Sequence, residues 1–322
     1  ASVFWFDPVS GLQRALLLLE NEVPSEICPP GSNECIITYV PLTYTPTSTY
    51  TATATPTITP SITPTPEFTT IPTSTPTSVF TPTLTPYPVF IGENTDWVPQ
   101  IENINGLDVA FVPPGCFTMG NNQLENAPTH RQCIDQPFYI GVTEVTREQY
   151  SLCVEDGACT WGSASGRYEP ITGSWFQAQD FVRWWGGRLP TEHEWECVAK
   201  GVNNWTFPWG ESSENVRMNI QYDEAYNVYP DGYTQIAPIG SYLDNRSWVG
   251  ALDLLGNAME WTSSIFMDYP YVYGDGREAN TYGNTHIARV LRGGSWRYSG
   301  AIDVLSSVRQ TAGPDHSSSD TG

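Results

Sequence analysis

The tract "PLTYTPTSTYTATATPTITPSITPTPEFTTIPTSTPTSVFTPTLTPYPVF", residues 41–90, constrains this chain more than any other stretch. Thr-Pro pairs recur every few residues, with no glycine, no lysine or arginine, and a single acid, Glu67. Proline fixes φ and removes a backbone donor, so neither a helix nor a central strand forms through such a segment. β-Branched threonine favours extended backbone. The composition predicts a semi-rigid polyproline II stalk, rising about 3.1 Å per residue and on the order of 150 Å long if fully extended. Dense hydroxyls on an accessible backbone also predict O-glycosylation, with an unmodified linker as the plainer alternative.

The tract divides the chain in three. Residues 1–40 hold an apolar lead, "ASVFWFDPVSGLQRALLLLENEV", and a cysteine loop, "CPPGSNEC". This part is too small to fold unaided and reads as an anchoring or assembly segment. Residues 91–322 carry 11 of the 12 tryptophans and read as the globular part. A helix is expected over "SWFQAQDFVRWWGG" and another from "LPTEHEWECVAKG". In the second, Thr191 as N-cap and Glu194 three residues later have capping-box spacing. The remainder alternates short strands with long loops.

The formal net charge is -21, from 14 Lys+Arg against 35 Asp+Glu. Such a surface repels phosphate backbones and anionic lipids, which excludes nucleic acid as a partner, and it suits divalent cations. No apolar run approaches the roughly 20 residues of a membrane span. Of the seven cysteines, Cys28 and Cys35, Cys116 and Cys133, and Cys153 and Cys159 close short polar loops. Pairs of this kind predict disulfides in an exported, extracellular or cell-surface protein, with metal ligation as the rival. Cys197, inside the second helix, is expected to be a buried free thiol.

Six segments, "FVPPGCFTMG", "PFYIGVTEVTREQY", "GGRLPTEHEWECVAKG", "FPWGE", "LDLLGNAMEWTSS" and "RVLRGGSW", follow one another in a fixed order. Together they resemble the formylglycine-generating enzyme (sulfatase-modifying factor) domain, a fold related to C-type lectins, over about residues 105–322. The resemblance implies an α+β domain with sparse regular structure and tightly packed tryptophans, preceded here by the extended Thr/Pro-rich stalk. Trp195, Trp209 and Trp261 are expected in the core, and Arg188 is expected to pair with Glu192. Gly293 and Gly294 would permit positive φ or close backbone approach beside Trp296.

Enzymes of this family oxidise a substrate cysteine with O₂ and a copper ion held by two cysteines just after the RGGS motif. Carried onto this chain, those positions are Tyr298 and Asp303, neither of which is a soft ligand for Cu(I). An iron-dependent relative needs a histidine set, and His130, His193, His286 and His316 show no paired spacing. The expectation is therefore a non-enzyme without copper. The resemblance also implies two structural Ca²⁺ sites. One comprises the Asn219 side chain, the Ile220 carbonyl, Asp231 and the Tyr233 carbonyl. The other comprises Asp253, the Leu255 carbonyl, Asn257 and Glu260. These are hard oxygen ligands, and an Asx-turn is the alternative role for Asn219 and Asp231.

The leading functional expectation is a non-catalytic exported subunit of a surface filament. Copies would join head to tail, the lead of one adding as a strand to the next. One alternative is a display module for a protein or glycan ligand, using Trp296, Arg297, Tyr298, Asp303, Arg309 and His316. Retroelement-diversified binding proteins of this fold vary in the segment after RGGSW. The other alternative is a family enzyme with altered chemistry.

Overall fold

The computed structural model describes residues 5–6, 26–27, 36–37, 42–49, 77–84, 92–161, 166–212, 218–221, 232–298 and 304–322, with side chains from residue 92 onward. The chain divides into two compact units, Ala1–Glu20 with Phe90–Gly322, and Asn21–Val89. Strand β1 (Trp5–Phe6) belongs to the first unit. Strands β2 (Glu26–Ile27), β3 (Ile36–Ile37), β4 (Leu42–Thr49) and β5 (Thr77–Leu84) belong to the second.

In the second unit β2 pairs antiparallel with β3, and β4 with β5. The Thr/Pro tract is thus extended where it is described, as its prolines require, but two of its stretches are paired. Pro46 stands opposite Phe80, and Pro82 opposite Tyr44. A two-stranded ribbon has only edges, and an edge strand tolerates a residue without an N–H. The tract's residues 50–76 and 85–90 lie outside the described residues, and with them the single rod-like stalk. Cys28 and Cys35 lie outside them too.

The first unit continues with β6 (Ile101–Ile104), β7 (Leu107–Val112), β8 (Gly115–Met119), β9 (His130–Ile134) and β10 (Phe138–Gly141). A four-stranded antiparallel sheet has the order β1–β10–β7–β6. β10 is buried at every position and β7 at all but Asp108, so this sheet anchors the core. β8 and β9 form a separate ribbon with Cys116 directly opposite Cys133. The expected disulfide joins them.

Three helices follow: α1 (Arg147–Glu155), α2 (Trp175–Trp185) and α3 (Glu192–Lys200). Each begins with a complete capping box, Thr146 with Gln149, Ser174 with Gln177, and Thr191 with Glu194. The reciprocal bonds satisfy backbone donors that a helix start otherwise leaves open. Gly186, at φ 103°, closes α2 in the left-handed conformation. The Cys153–Cys159 disulfide staples the end of α1 to the turn after it. A second sheet, β11 (Glu260–Ile265), β12 (Arg289–Arg292) and β13 (Gln310–Ala312), has the order β11–β12–β13. α3 packs against β8, β11 and β12.

Every residue of α3 is buried, although five of the nine are charged or histidine. Burial of ionised groups is tolerated only with close, well-formed partners. Arg309 forks onto Glu192, Nε to Oε2 at 2.7 Å and Nη2 to Oε1 at 3.0 Å. Arg277 reaches the same carboxylate at 3.2 Å. Arg292 Nη2 lies 2.7 Å from Glu196 Oε2 and 3.5 Å from Glu192 Oε2. Glu196 Oε1 accepts from the Gly120 amide at 2.6 Å, and Lys200 Nζ donates to the Gly120 carbonyl at 2.6 Å and to Ser307 at 3.0 Å. Burial alone would raise the Glu196 carboxyl, but Arg292 and Lys200 outweigh it and hold it below the ordinary glutamate range.

Several expectations change here. Arg188 pairs with Glu194, through bonds of 2.9 and 2.6 Å, rather than with Glu192, because the capping box already turns Glu194 toward the helix start. His193 is buried, its ring centroid 4.6 Å from that of Tyr271. Trp195 and Trp261 are fully buried, whereas Trp209 is only half-buried and donates its Nε1–H to the Ser212 carbonyl. Cys197 is a buried free thiol, as expected.

Glu194 offers a clean test of how the helix is held. Burial raises its pKa, but Arg188 and the Thr191 amide lower it further than burial raises it. Glu194→Gln keeps an acceptor for the capping box and removes the charge. Because the folded pKa is depressed, the stabilisation is present above the unfolded value near 4.5 and is lost as pH falls through the folded value. At pH 7 the variant should lose about 1.5–3 kcal/mol. Its difference from the parent should shrink as melting is followed to lower pH, and a difference that stays constant with pH contradicts this account.

Candidate functional site

β12 ends at Arg292, and Gly293 and Gly294 follow with φ of 87° and 70°. A Cβ on Gly293 would stand 2.5 Å from the Leu254 carbonyl oxygen, so only glycine permits this approach. The chain then turns outward. Ser295 Oγ donates to Asp320 at 2.8 Å, and the Trp296 amide donates to the Asn257 carbonyl at 3.0 Å. Arg297 is exposed, lies 5.0 Å over the Trp296 ring, and donates to Ser319 at 2.7 Å. The Tyr298 hydroxyl lies 3.7 Å from Met259 Sδ. The Trp296 Nε1–H is buried and has no hydrogen-bond partner among the described residues.

Asn257 is the hub beneath this face. Its Oδ1 accepts from Asn219 Nδ2 and from the Ala237 amide, each at 2.8 Å. Its Nδ2 donates to Glu144 Oε2 at 2.7 Å and to the Ala237 carbonyl at 3.2 Å. Asn257 and Asp253 adopt left-handed φ of 59° and 56°, which short polar side chains tolerate. One buried amide thereby ties together the segments around residues 144, 219, 237 and 296. Around it sit three carboxyls raised above their ordinary range. Burial, with the neighbouring Asp253, raises Glu144; burial pushes Asp253 up to about 6 and also raises Glu260.

The expected Ca²⁺ ligands divide on this geometry. Asn219 commits its amide nitrogen to Gln235 and Asn257, which leaves Oδ1 as the atom it can offer a cation. Asp231 lies outside the described residues, and Tyr233 is exposed. In the second set Asn257 does not fit, because both lone pairs of Oδ1 already accept N–H groups. Asp253 Oδ2 accepts from Gly240 at 2.6 Å and Glu260 Oε2 from Trp195 at 2.7 Å, while Glu260 Oε1 is buried without a hydrogen bond among the described residues. Among the described residues no three acidic, histidine or cysteine side chains converge as a metal cluster.

Of the six expected ligand-binding residues, the structure gathers Trp296, Arg297 and Tyr298. Asp303 lies outside the described residues, and His316 is exposed at a turn closed by its amide on Gly313. Arg309 is a correction: it is drawn inward by Glu192 and packs 4.0 Å from the Tyr269 ring centroid. Position 298 presents a phenol, and the free thiol among the described residues, Cys197, is buried in α3, where burial pushes its pKa up. The side chains described here therefore do not fit a thiolate copper site. Sequence reasoning missed the Asn257 hub, whose partners lie 20 to 113 residues away along the chain.

Known proteins bear on this arrangement. The chain is 34% identical over 182 residues to the formylglycine-generating enzyme of Streptomyces coelicolor, covering 50% of this chain and 56% of that protein. It is 36% identical over 220 residues to the hercynine oxygenase of Mycobacterium tuberculosis, covering 64% of this chain and 46% of that protein. The chain thus spans about half the length of these relatives. Among solved structures, Treponema denticola variable protein 1 superposes with a TM-score of 0.52 at 19% identity, covering 69% of this chain and 96% of that one, which shows a shared fold. The named relatives are enzymes, and that overturns the expectation of a non-enzyme: the family is an enzymatic one. Residues 95–322 match the sulfatase-modifying factor enzyme 1-like domain, and the chain belongs to that family.

Proposed function

We propose that this chain is an exported subunit of a cell-surface or extracellular filament, its family domain forming a head that follows a Thr/Pro-rich segment. The observation that carries the reading is the pairing of the apolar lead. Trp5 stands opposite Ile140 and Phe6 opposite Tyr139, so β1 supplies the outer strand beside β10. β1 reaches that sheet only through the long segment 7–89 of its own chain. The main-chain groups along β10 would accept the same strand from a second copy equally well. Donation of that strand from each copy to the next is a heterologous contact, which propagates into a filament unless the rotation closes a ring.

Two disulfides support an exported protein, because they suit an oxidising compartment. No helix among the described residues is long and apolar enough to cross a membrane. The net charge of -21 suits a cation-binding outer surface. A Ca²⁺ held by Asn219 Oδ1, the Ile220 and Tyr233 carbonyls and Asp231 would secure the loop they bracket. O-glycans on the tract would keep its paired strands from joining others.

Deleting residues 1–22 should abolish filament formation while leaving the head folded, read by electron microscopy and thermal melting. Filaments of unchanged form from the truncated chain, or a monomeric native protein by light scattering, overturn the assembly reading. Native material should also exceed the polypeptide mass and contain calcium. Intact mass matching the polypeptide less its disulfide hydrogens, together with no calcium by elemental analysis, would remove both modifications.

A further inference from the structure

α3 ends at Lys200, and the chain reverses through a turn over residues 201–204. Two asparagines stand side by side in that turn, and the fold treats them differently. Asn203 clamps the start of the head. Its Oδ1 accepts from the Asn94 amide, and its own amide donates to Asn94 Oδ1 at 3.4 Å. Asn94 in turn donates its Nδ2 to the Lys200 carbonyl at 2.9 Å. Asn204 has no such role. Its backbone sits in the left-handed region at φ 58°, which a short polar residue tolerates, and its amide closes the turn on the Gly201 carbonyl at 3.3 Å. Its side chain is exposed and makes no hydrogen bond among the described residues.

Asn204 is followed by Trp205 and Thr206, the N-x-Thr spacing of an N-glycosylation acceptor. The chain has one other N-x-[ST] triplet, Asn245-Arg246-Ser247. There the asparagine is 4% and the serine 3% exposed. Ser247 is bound to Ala251 through both its amide, at 2.8 Å, and its hydroxyl, at 3.1 Å.

We infer that Asn204 is an acceptor for an N-linked oligosaccharide and that Asn245 is not. The donor is a polyprenyl-diphosphate-linked oligosaccharide. Asn204 Nδ2 forms a bond to the anomeric carbon, and the C–O bond to phosphate breaks. The lipid diphosphate leaves with the electron pair, and one Nδ2 proton passes to a base of the transferase. In the folded head the Thr206 hydroxyl is held by Glu211, Oγ1 to Oε2 at 2.7 Å, so the transfer belongs to the exported chain before this turn closes. Folding then decides which product survives. A glycan on Asn204 projects into solvent and displaces no partner. A glycan on Asn245 would have to be enclosed with the buried Tyr242, Ser247 and Trp248, so that segment could not close around it. The oligosaccharide on Asn204 stands beside Asn94, where the chain enters the head, and screens that joint. This inference rests on export as proposed above and not on the filament.

Glycopeptide mass spectrometry of the native full chain tests it, reading in one digest the occupancy of Asn204 and Asn245 and the state of Cys116 and Cys133. Asn204 should carry the oligosaccharide, Asn245 should be bare, and the two cysteines should be joined. Asn204→Asp keeps a short polar side chain for the left-handed turn but has no amide nitrogen. It should fold as the parent does and lose the oligosaccharide completely. Thr206→Val keeps Asn204 and should lose it as well, because the hydroxyl two residues on is part of the acceptor. A bare Asn204 in native protein with the disulfide formed overturns this inference and leaves export standing. A bare Asn204 with both cysteines reduced overturns the two together. An oligosaccharide on Asn245, or one on the Asn204 peptide that survives Asn204→Asp, also overturns it.

Discussion

The pair of buried carboxylates on α3, Glu192 and Glu196, is the constraint around which the head is organised. Two acids on one buried helix face cannot stand without countercharges, and the chain supplies them from three separate places. Arg277 comes from the loop before β12, Arg292 from the end of β12, and Arg309 from the approach to β13. Lys200, one turn on from Glu196, carries the network to Gly120 at the end of β8. The same charges that make α3 costly to bury therefore set where the second sheet, its loops and the β8–β9 ribbon must lie.

The outer face inherits its position from this arrangement. Arg292 is fixed within the network, so the Gly293–Gly294 turn that follows it leaves the core at a defined point. Leu254 approaches that turn too closely for any side chain. Asn257 then holds the Trp296 amide while spending both ends of its own side chain on Glu144, Asn219 and Ala237. The start of α1 is built differently, from exposed Arg–Glu and Arg–aromatic contacts on a helix start fixed by Thr146 and Gln149.

Much of this was legible in the sequence, and the rest fails for identifiable reasons. The family resemblance and the α+β class came from the order of local segments, and the two described disulfides from short spacing. The capping box of α3 was read correctly, yet "TREQ" at Thr146–Gln149 carries the same signal and α1 was not anticipated. Arg188 was matched to the wrong acid because sequence spacing does not say which carboxylate the cap turns toward it. Arg309 resembled a surface arginine, and only the three-dimensional position of Glu192 draws it inward. The apolar lead was read as a strand seeking a sheet, but its partner β10 lies more than a hundred residues away and left no local sign.

Chemical denaturation of Arg292→Met tests the central claim most directly. Methionine keeps the length and apolar bulk of the arginine stem but strips Glu196 of its 2.7 Å partner and Glu192 of one of three. A buried carboxylate left with only Lys200 for countercharge and the Gly120 amide should lower the stability of the head by about 3–5 kcal/mol at neutral pH, the loss easing in acid as Glu196 protonates. A variant whose stability stays within about 0.5 kcal/mol of the parent, the spread of ordinary surface substitutions, would show that the network does not hold the fold.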